Sequence, residues 1–372
     1  MTKSSFLINI NHWEGTPLFK IGSQGTFETL PDFAMAIYKG DTAAVEESIS
    51  EGVDLEESIA LSKYIALTPL ELALITNQKK IVELFVENGV NLNMKGKPAI
   101  LTAARYGGEE VIRYLHHKGA KLTGLNKVKS SAYDEAYYGN KKNIAVLNEL
   151  GLDIRKFGGK ILRTAVSDHD MRTIQYLLDE GVDINYNEPD MVYPYRATPL
   201  TVAARNNNMK MVQFLVEQGA DVTIQEKDGE RAYTIAVSQK NDEMADYLKA
   251  REPKEFHDLS NKLHALKPYK LPKEIVHFLN EGPQKLELPD NESGIRYVDL
   301  FSLLDTVEMK MGRQKLLRLS ADVDQYSHIH LVWNPRKKLI GYVDIEHQEY
   351  GNLGTFDAFL KEPVPFIEAI LN

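Results

Sequence analysis

Apolar residues recur at helical spacing along the first two thirds of the chain, in pairs of short segments. Ile81-Val82-Glu83-Leu84-Phe85, Val111-Ile112-Arg113-Tyr114-Leu115 and Met211-Val212-Gln213-Phe214-Leu215 each set an apolar stripe between charged positions. Such stripes predict helical hairpins that bury their apolar faces only against their neighbours. Beyond about residue 250 the pattern changes. Residues 271–280 read as a short helix opened by Pro272. Residues 329–333 and 339–345 alternate as strands, joined by the polar stretch 334–338 into a hairpin. Residues 356–371 are helical in pattern, interrupted by Pro363 and Pro365.

The hairpins share a motif. Thr68-Pro69-Leu70-Glu71-Leu72-Ala73 and Thr198-Pro199-Leu200-Thr201-Val202-Ala203 each precede a second apolar helix and then a Gly. Aligning on the Ala gives Ala36, Ala73, Ala103, Ala136, Ala165, Ala203 and Ala236, 29 to 38 residues apart. A second anchor, at Gly52, Gly89, Gly119, Gly151, Gly181 and Gly219, follows its Ala by 15 or 16 residues. The chemistry is local. Thr caps the first helix, Pro fits its first turn, Ala allows close approach of neighbours, and Gly ends the second helix in the left-handed conformation. The fourth repeat has Ser131-Ala132-Tyr133 in place of Thr-Pro-Leu, and the seventh lacks the closing Gly. Degenerate ends suit capping repeats.

With these two anchors, residues from roughly 30 to 250 resemble ankyrin repeats. The resemblance implies a mainly α solenoid that binds a protein partner and has no catalysis of its own. The expected organisation is a capping segment at 1–30, about seven repeats over 31–252, and a small α+β domain over 253–372. Trp13, Phe19 and Phe27 of the first segment are expected to pack on the first repeat. In ankyrin proteins the concave face comes from the hairpin tips and the ends of the inner helices, here two or three residues past the anchor Ala. That register selects Tyr38, Ile75, Arg105, Tyr106, Tyr138, Asp168 and Arg205 as partner-binding candidates. The plainer reading has Tyr137 and Tyr138 packing between repeats, with Arg105 and Arg205 paired to nearby carboxylates. An insertion at residues 187–196, with two Pro and two Tyr, lengthens one loop into a candidate contact element.

The last hundred or so residues carry three further motifs: Leu271-Pro272 through Phe278-Leu279, Gly341 through His347, and Thr355-Phe356-Asp357-Ala358-Phe359-Leu360. Together they resemble the SUKH superfamily, whose members often act as bacterial immunity proteins that neutralise toxins. The Gly-rich turn many members carry before the central strands is replaced by Ala321-Asp322-Val323-Asp324. This resemblance implies an immunity protein; an adaptor or regulator of an endogenous protein is the alternative, and an enzyme with its site around His330, Asp344 and His347 a more distant one.

Composition narrows the field. At 372 residues the chain exceeds one ordinary core, and 43% hydrophobic with 26% charged residues is the balance of a folded protein. A formal net charge of -9 opposes nucleic acid and would suit a basic toxin. Cysteine is absent, which excludes disulfides and thiol chemistry. The apolar stretch at 6–10 is too short for a signal core and no run reaches membrane-spanning length, so the expected location is the cytoplasm. His328 and His330 share one strand face, with His347 near; half-exposed histidines flanking a buried Ile329 and Leu331 are expected, with no metal. Asp322, Asp324, Asp344 and Glu346 lack the spacing of a calcium loop, and Gly22 to Gly25 precedes no convincing helix. No cofactor and no small-molecule substrate are expected.

Overall fold

The computed structural model describes residues 18–371. Residues 6–10 and Trp13 lie outside that range. The chain divides into two compact units, the first ending at Ile161 and the second starting at Leu162. The fold is mainly helical: repeated helical hairpins followed by a smaller mixed β/α region.

The first unit opens with a short antiparallel hairpin, β1 (Phe19–Ile21) and β2 (Gly25–Phe27). Helical hairpins follow, at Asp32–Lys39 with Thr42–Ser50, Pro69–Ile75 with Lys79–Glu87, Ala99–Tyr106 with Glu109–His117, and Ala132–Tyr138 with Asn143–Glu149. The paired strands β3 (Ile59–Ala60) and β4 (Ala66–Leu67) build the loop before the second of these. Helix Gly159–Ser167 contains the division between the units. The second unit continues with helix Met171–Asp179 and the hairpins Pro199–Arg205 with Met209–Glu217 and Ala232–Ser238 with Asp242–Lys249.

Local chemistry starts three of the inner helices. Thr68 Oγ1 accepts from Glu71 N–H at 3.1 Å while the Glu71 carboxylate accepts from Thr68 N–H at 2.9 Å, a reciprocal capping box with Pro69 in the first turn. Thr198 and Thr201 repeat the arrangement. In the fourth repeat Ser131 takes the same role with Asp134, so the loss of Thr-Pro-Leu leaves the cap intact. The Gly at the end of each outer helix has φ between 81° and 98°, a region closed to most L residues. Ala73, Ala103, Ala136, Ala165, Ala203 and Ala236 are all fully buried, whereas Ala36 of the first repeat is half-buried.

The mixed region starts with short helical turns and the helix Lys273–Glu281, begun by Pro272. Strands β5 (Lys285–Glu287), β6 (Tyr297–Leu300) and β9 (Ser320–Val323) form one antiparallel sheet in the order β5-β6-β9. Strands β7 (Val307–Met311), β8 (Gln314–Arg318), β10 (Ile329–Asn334), β11 (Leu339–Asp344) and β12 (Glu349–Gly354) form a second, ordered β12-β11-β10-β8-β7 and also antiparallel. β10 and β11 pair as the alternation predicts, Trp333 opposite Ile340. The turn between them is held by Asn334, whose Oδ1 accepts from Arg336 and Lys337 N–H. Helices Phe356–Lys361 and Pro363–Leu371 close the chain, parted at the proline. Trp333 is the core's largest buried side chain, donating its indole N–H to the Tyr269 carbonyl at 2.8 Å among Ile275, Leu279, Phe356 and Phe359.

Candidate protein-binding surface

In the first unit the ends of the inner helices are partly covered by the chain itself. Ile21, Phe27 and Leu30 of the leading segment are buried, as the packing of a capping segment requires. Phe19 meets Tyr38 edge to face, with ring centroids 5.5 Å apart. The tip reaches further: a Cβ on Gly22 would lie 2.7 Å from the Tyr106 ring and 2.8 Å from Ile75 Cγ2, and Ser23 Oγ is 2.5 Å from Tyr106 Oη. Only glycine fits so close an approach. Tyr38, Ile75 and Tyr106, three of the candidate contacts, therefore serve in part as the seat of the β1–β2 hairpin. Arg105 pairs with Glu135 at 3.0 Å and lies over the Tyr106 ring. Tyr138 is exposed, its ring set edge to face against the buried Tyr137.

In the second unit Asp168 is exposed and Arg205 half-exposed. Arg205 is paired to nearby carboxylates, as the plainer reading has it, but within a larger charge cluster that reaches Arg318 and that the sequence did not announce. Its guanidinium bonds Glu226 at 2.6 Å and Glu230 at 3.2 Å, and Arg318 of β8 bonds the other oxygen of Glu230 at 2.6 Å. Arg318 also donates to the carbonyls of Ser320 and Ala321. The loop of the last repeat is thus fastened to the β8–β9 corner. Tyr233 adds a 2.9 Å hydrogen bond to Asp305, and Lys240 pairs with Asp299. A sequence signal was present: Glu226-Lys-Asp-Gly-Glu230 is an unusually acidic loop to follow an array of apolar helices.

Carboxylate oxygens of Glu226, Asp228 and Glu230 lie within 4.8 Å of one another, a grouping that would suit a metal. Arg205 and Arg318 already supply the positive charge there. Burial, only partly offset by Arg205, raises the Glu226 carboxyl to about 7. Glu230 is also buried, yet Arg318 and Arg205 hold its carboxyl well below the usual range. The sign of the Glu226 effect is testable. A carboxyl harder to ionise in the folded chain than in the unfolded one withdraws stability as pH rises from about 4.5 to 7. Glu226→Gln, which removes that charge, is expected to gain about 2 kcal/mol relative to the parent between pH 5 and pH 8. Urea titrations at the two pH values measure it; a pH-independent difference contradicts it.

Of the two strand histidines, His328 is half-buried as expected and His330 departs from expectation. β10 is buried along its whole length, on both faces, so His330 is not half-exposed. Burial and then Arg318 lower its pKa to about 3, keeping the ring neutral. His328 is half-buried beside Tyr326, and His347 is exposed, bonded to Asp344 at 2.8 Å.

Successive capped helical hairpins, closed by left-handed glycines and sealed at a buried alanine, define a helical repeat solenoid. The description "Ankyrin repeats (3 copies)" matches residues 33–125 and 162–257, just over half of the chain, which belongs to the ankyrin-repeat family. The rat protein "Ankyrin repeat and SAM domain-containing protein 6" is 31% identical over 108 residues, which are 28% of this chain and 12% of the relative. This chain thus spans a small part of that relative's length. The crystal structure of the human ASB11 ankyrin repeat domain is similar over 60% of this chain and 98% of its own, at 21% identity and a TM-score of 0.46. Ankyrin repeats support a protein–protein interaction module. Among the described residues no helix is long and apolar enough to cross a membrane.

Proposed function

We propose that this chain is a cytoplasmic immunity protein that binds a protein toxin and blocks its active face. The repeats supply the recognition scaffold, and the region from about residue 253 onward, with its three SUKH-like motifs, supplies the tie to toxin neutralisation. The observation that carries the reading is the pairing of those motifs with an interaction solenoid in one chain. In support, the motif segments fall on the helix Lys273–Glu281, on β11 with its following turn, and on the helix Phe356–Lys361. Arg105, Tyr138, Asp168 and Arg205 are the remaining candidate contacts, and the insertion at 187–196 exposes Met191 and Val192.

The full chain is the reagent to use, because a cut near residue 255 would separate Glu230 from Arg318. Proteins captured from the source cells by the tagged chain are identified and then expressed alone and together with it. Growth arrest by the captured protein, relieved by this chain, is the expected result. A captured protein that leaves growth unaffected would instead make the chain an adaptor of an endogenous partner.

A further inference from the structure

In the first unit the hairpin β1–β2 occupies much of the inner-helix ends, and what stands open is the row of loops that precede those helices. Residues 53–67, 90–98, 120–131 and 152–160, the last of them partly helical, hold nine Lys and Arg against Asp54, Glu56, Glu57 and Asp153, a local excess of positive charge within a chain of net charge -9. Helices Pro69–Ile75, Ala99–Tyr106 and Ala132–Tyr138 pack in series, so the loops before them leave the stack on one side. Cross-links hold the loops in register: Asn91 N–H donates to Glu56 at 2.6 Å, Asn93 Oδ1 accepts from Lys121 N–H at 2.8 Å, and Gly96 bridges to Asn126.

Lys97 is paired with Glu71 at 2.9 Å and Lys160 with Asp134 at 3.9 Å, and Arg155 is also engaged within the chain. Lys63, Lys95, Lys127, Lys129 and Lys156 are exposed, and among the described residues no carboxylate lies within ion-pair distance of them. Between them stand apolar side chains open to solvent, Tyr64 at 86% exposure and Val128 at 52%. Lysines that outnumber the carboxylates around them and have no ion-pair partner attract an anion, while exposed apolar groups gain from being covered.

We propose that this loop edge of the first unit binds an acidic, apolar-bearing segment of a protein partner. The proposal rests on the protein-binding reading alone and holds whether or not the partner is a toxin. A protein segment is favoured over nucleic acid because, Tyr64 apart, the exposed apolar side chains Val128 and Leu125 offer no stacking face, and the chain as a whole is anionic.

The test uses the full chain and three fluorescein-labelled probes: a peptide of repeated Glu-Asp-Leu-Tyr, its Gln-Asn-Leu-Tyr counterpart, and single-stranded oligothymidine. Anisotropy is read at rising salt for the parent and for a variant carrying Lys63→Ser, Lys95→Ser, Lys127→Ser and Lys129→Ser, with circular dichroism confirming that the variant is folded. The acidic peptide is expected to bind at least about tenfold tighter than the neutral one, to weaken with salt, and to lose about tenfold or more in the variant. Equal binding of both peptides, an unaffected variant, tighter binding of oligothymidine, or no binding of any probe overturns the proposal. Failure of growth rescue leaves these readings unchanged, so the two ideas fail separately.

Discussion

Glu230→Gln is expected to lower the unfolding free energy by about 3 to 5 kcal/mol, the range for removing one partner of a buried ion pair. Glu230 receives two guanidinium groups, from Arg205 and Arg318, and Arg318 is almost wholly buried. Neutralising the carboxylate leaves the Arg318 charge in a low-dielectric site with only two carbonyls to face. Replacing both members together, Glu230→Leu with Arg318→Met, should lose markedly less, because no charge is then stranded. Urea unfolding followed by far-ultraviolet circular dichroism separates the cases. A loss below about 1 kcal/mol for Glu230→Gln would mean that the pair is solvated and does not fasten the last repeat to the sheet.

The second large effect concerns the inserted loop. The Arg163 guanidinium is fully buried, donates to the Ala197 carbonyl at 2.9 Å and to Asp190 at 2.5 Å, and lies between the rings of Tyr186 and Tyr193. Asp190 in turn accepts from the N–H groups of Val192 and Tyr193. One side chain therefore fixes the course of residues 187–196. Arg163→Ala should cost about 3 to 5 kcal/mol and speed amide hydrogen exchange at 190–197 ahead of the flanking helices. Arg163→Lys should restore little, since an ammonium cannot span carbonyl, carboxylate and two ring faces at once. Unchanged exchange in this stretch would show the loop to be held by something else.

The repeats were legible because their determinants are local. A capping Thr, a Pro in the first turn and a closing Gly all act within one hairpin; Ser131, in the sequence only a departure from Thr-Pro-Leu, proves to cap in the same way. The β10–β11 hairpin was legible for the same reason. What escaped the sequence depends on residues far apart. Ser23 and Tyr106 are 83 positions apart, and no periodicity announces that a glycine tip will rest on Ile75. His330 read as half-exposed because alternation counts one covered face, whereas β10 is buried on both. The candidate contacts illustrate both cases: their register on the inner helices was readable, whereas their partial occupation by the chain's own hairpin was not.

The seventh repeat ends at Glu252 without a closing glycine, and the loop that opens it is held by Arg318. That places the two ends of the array under different rules of inheritance. An internal hairpin can be duplicated or lost with its caps, since it carries everything that shapes it. The sheet cannot be transplanted alone: a functional graft has to bring residues 226–230 with it, or arrive with an orphaned arginine.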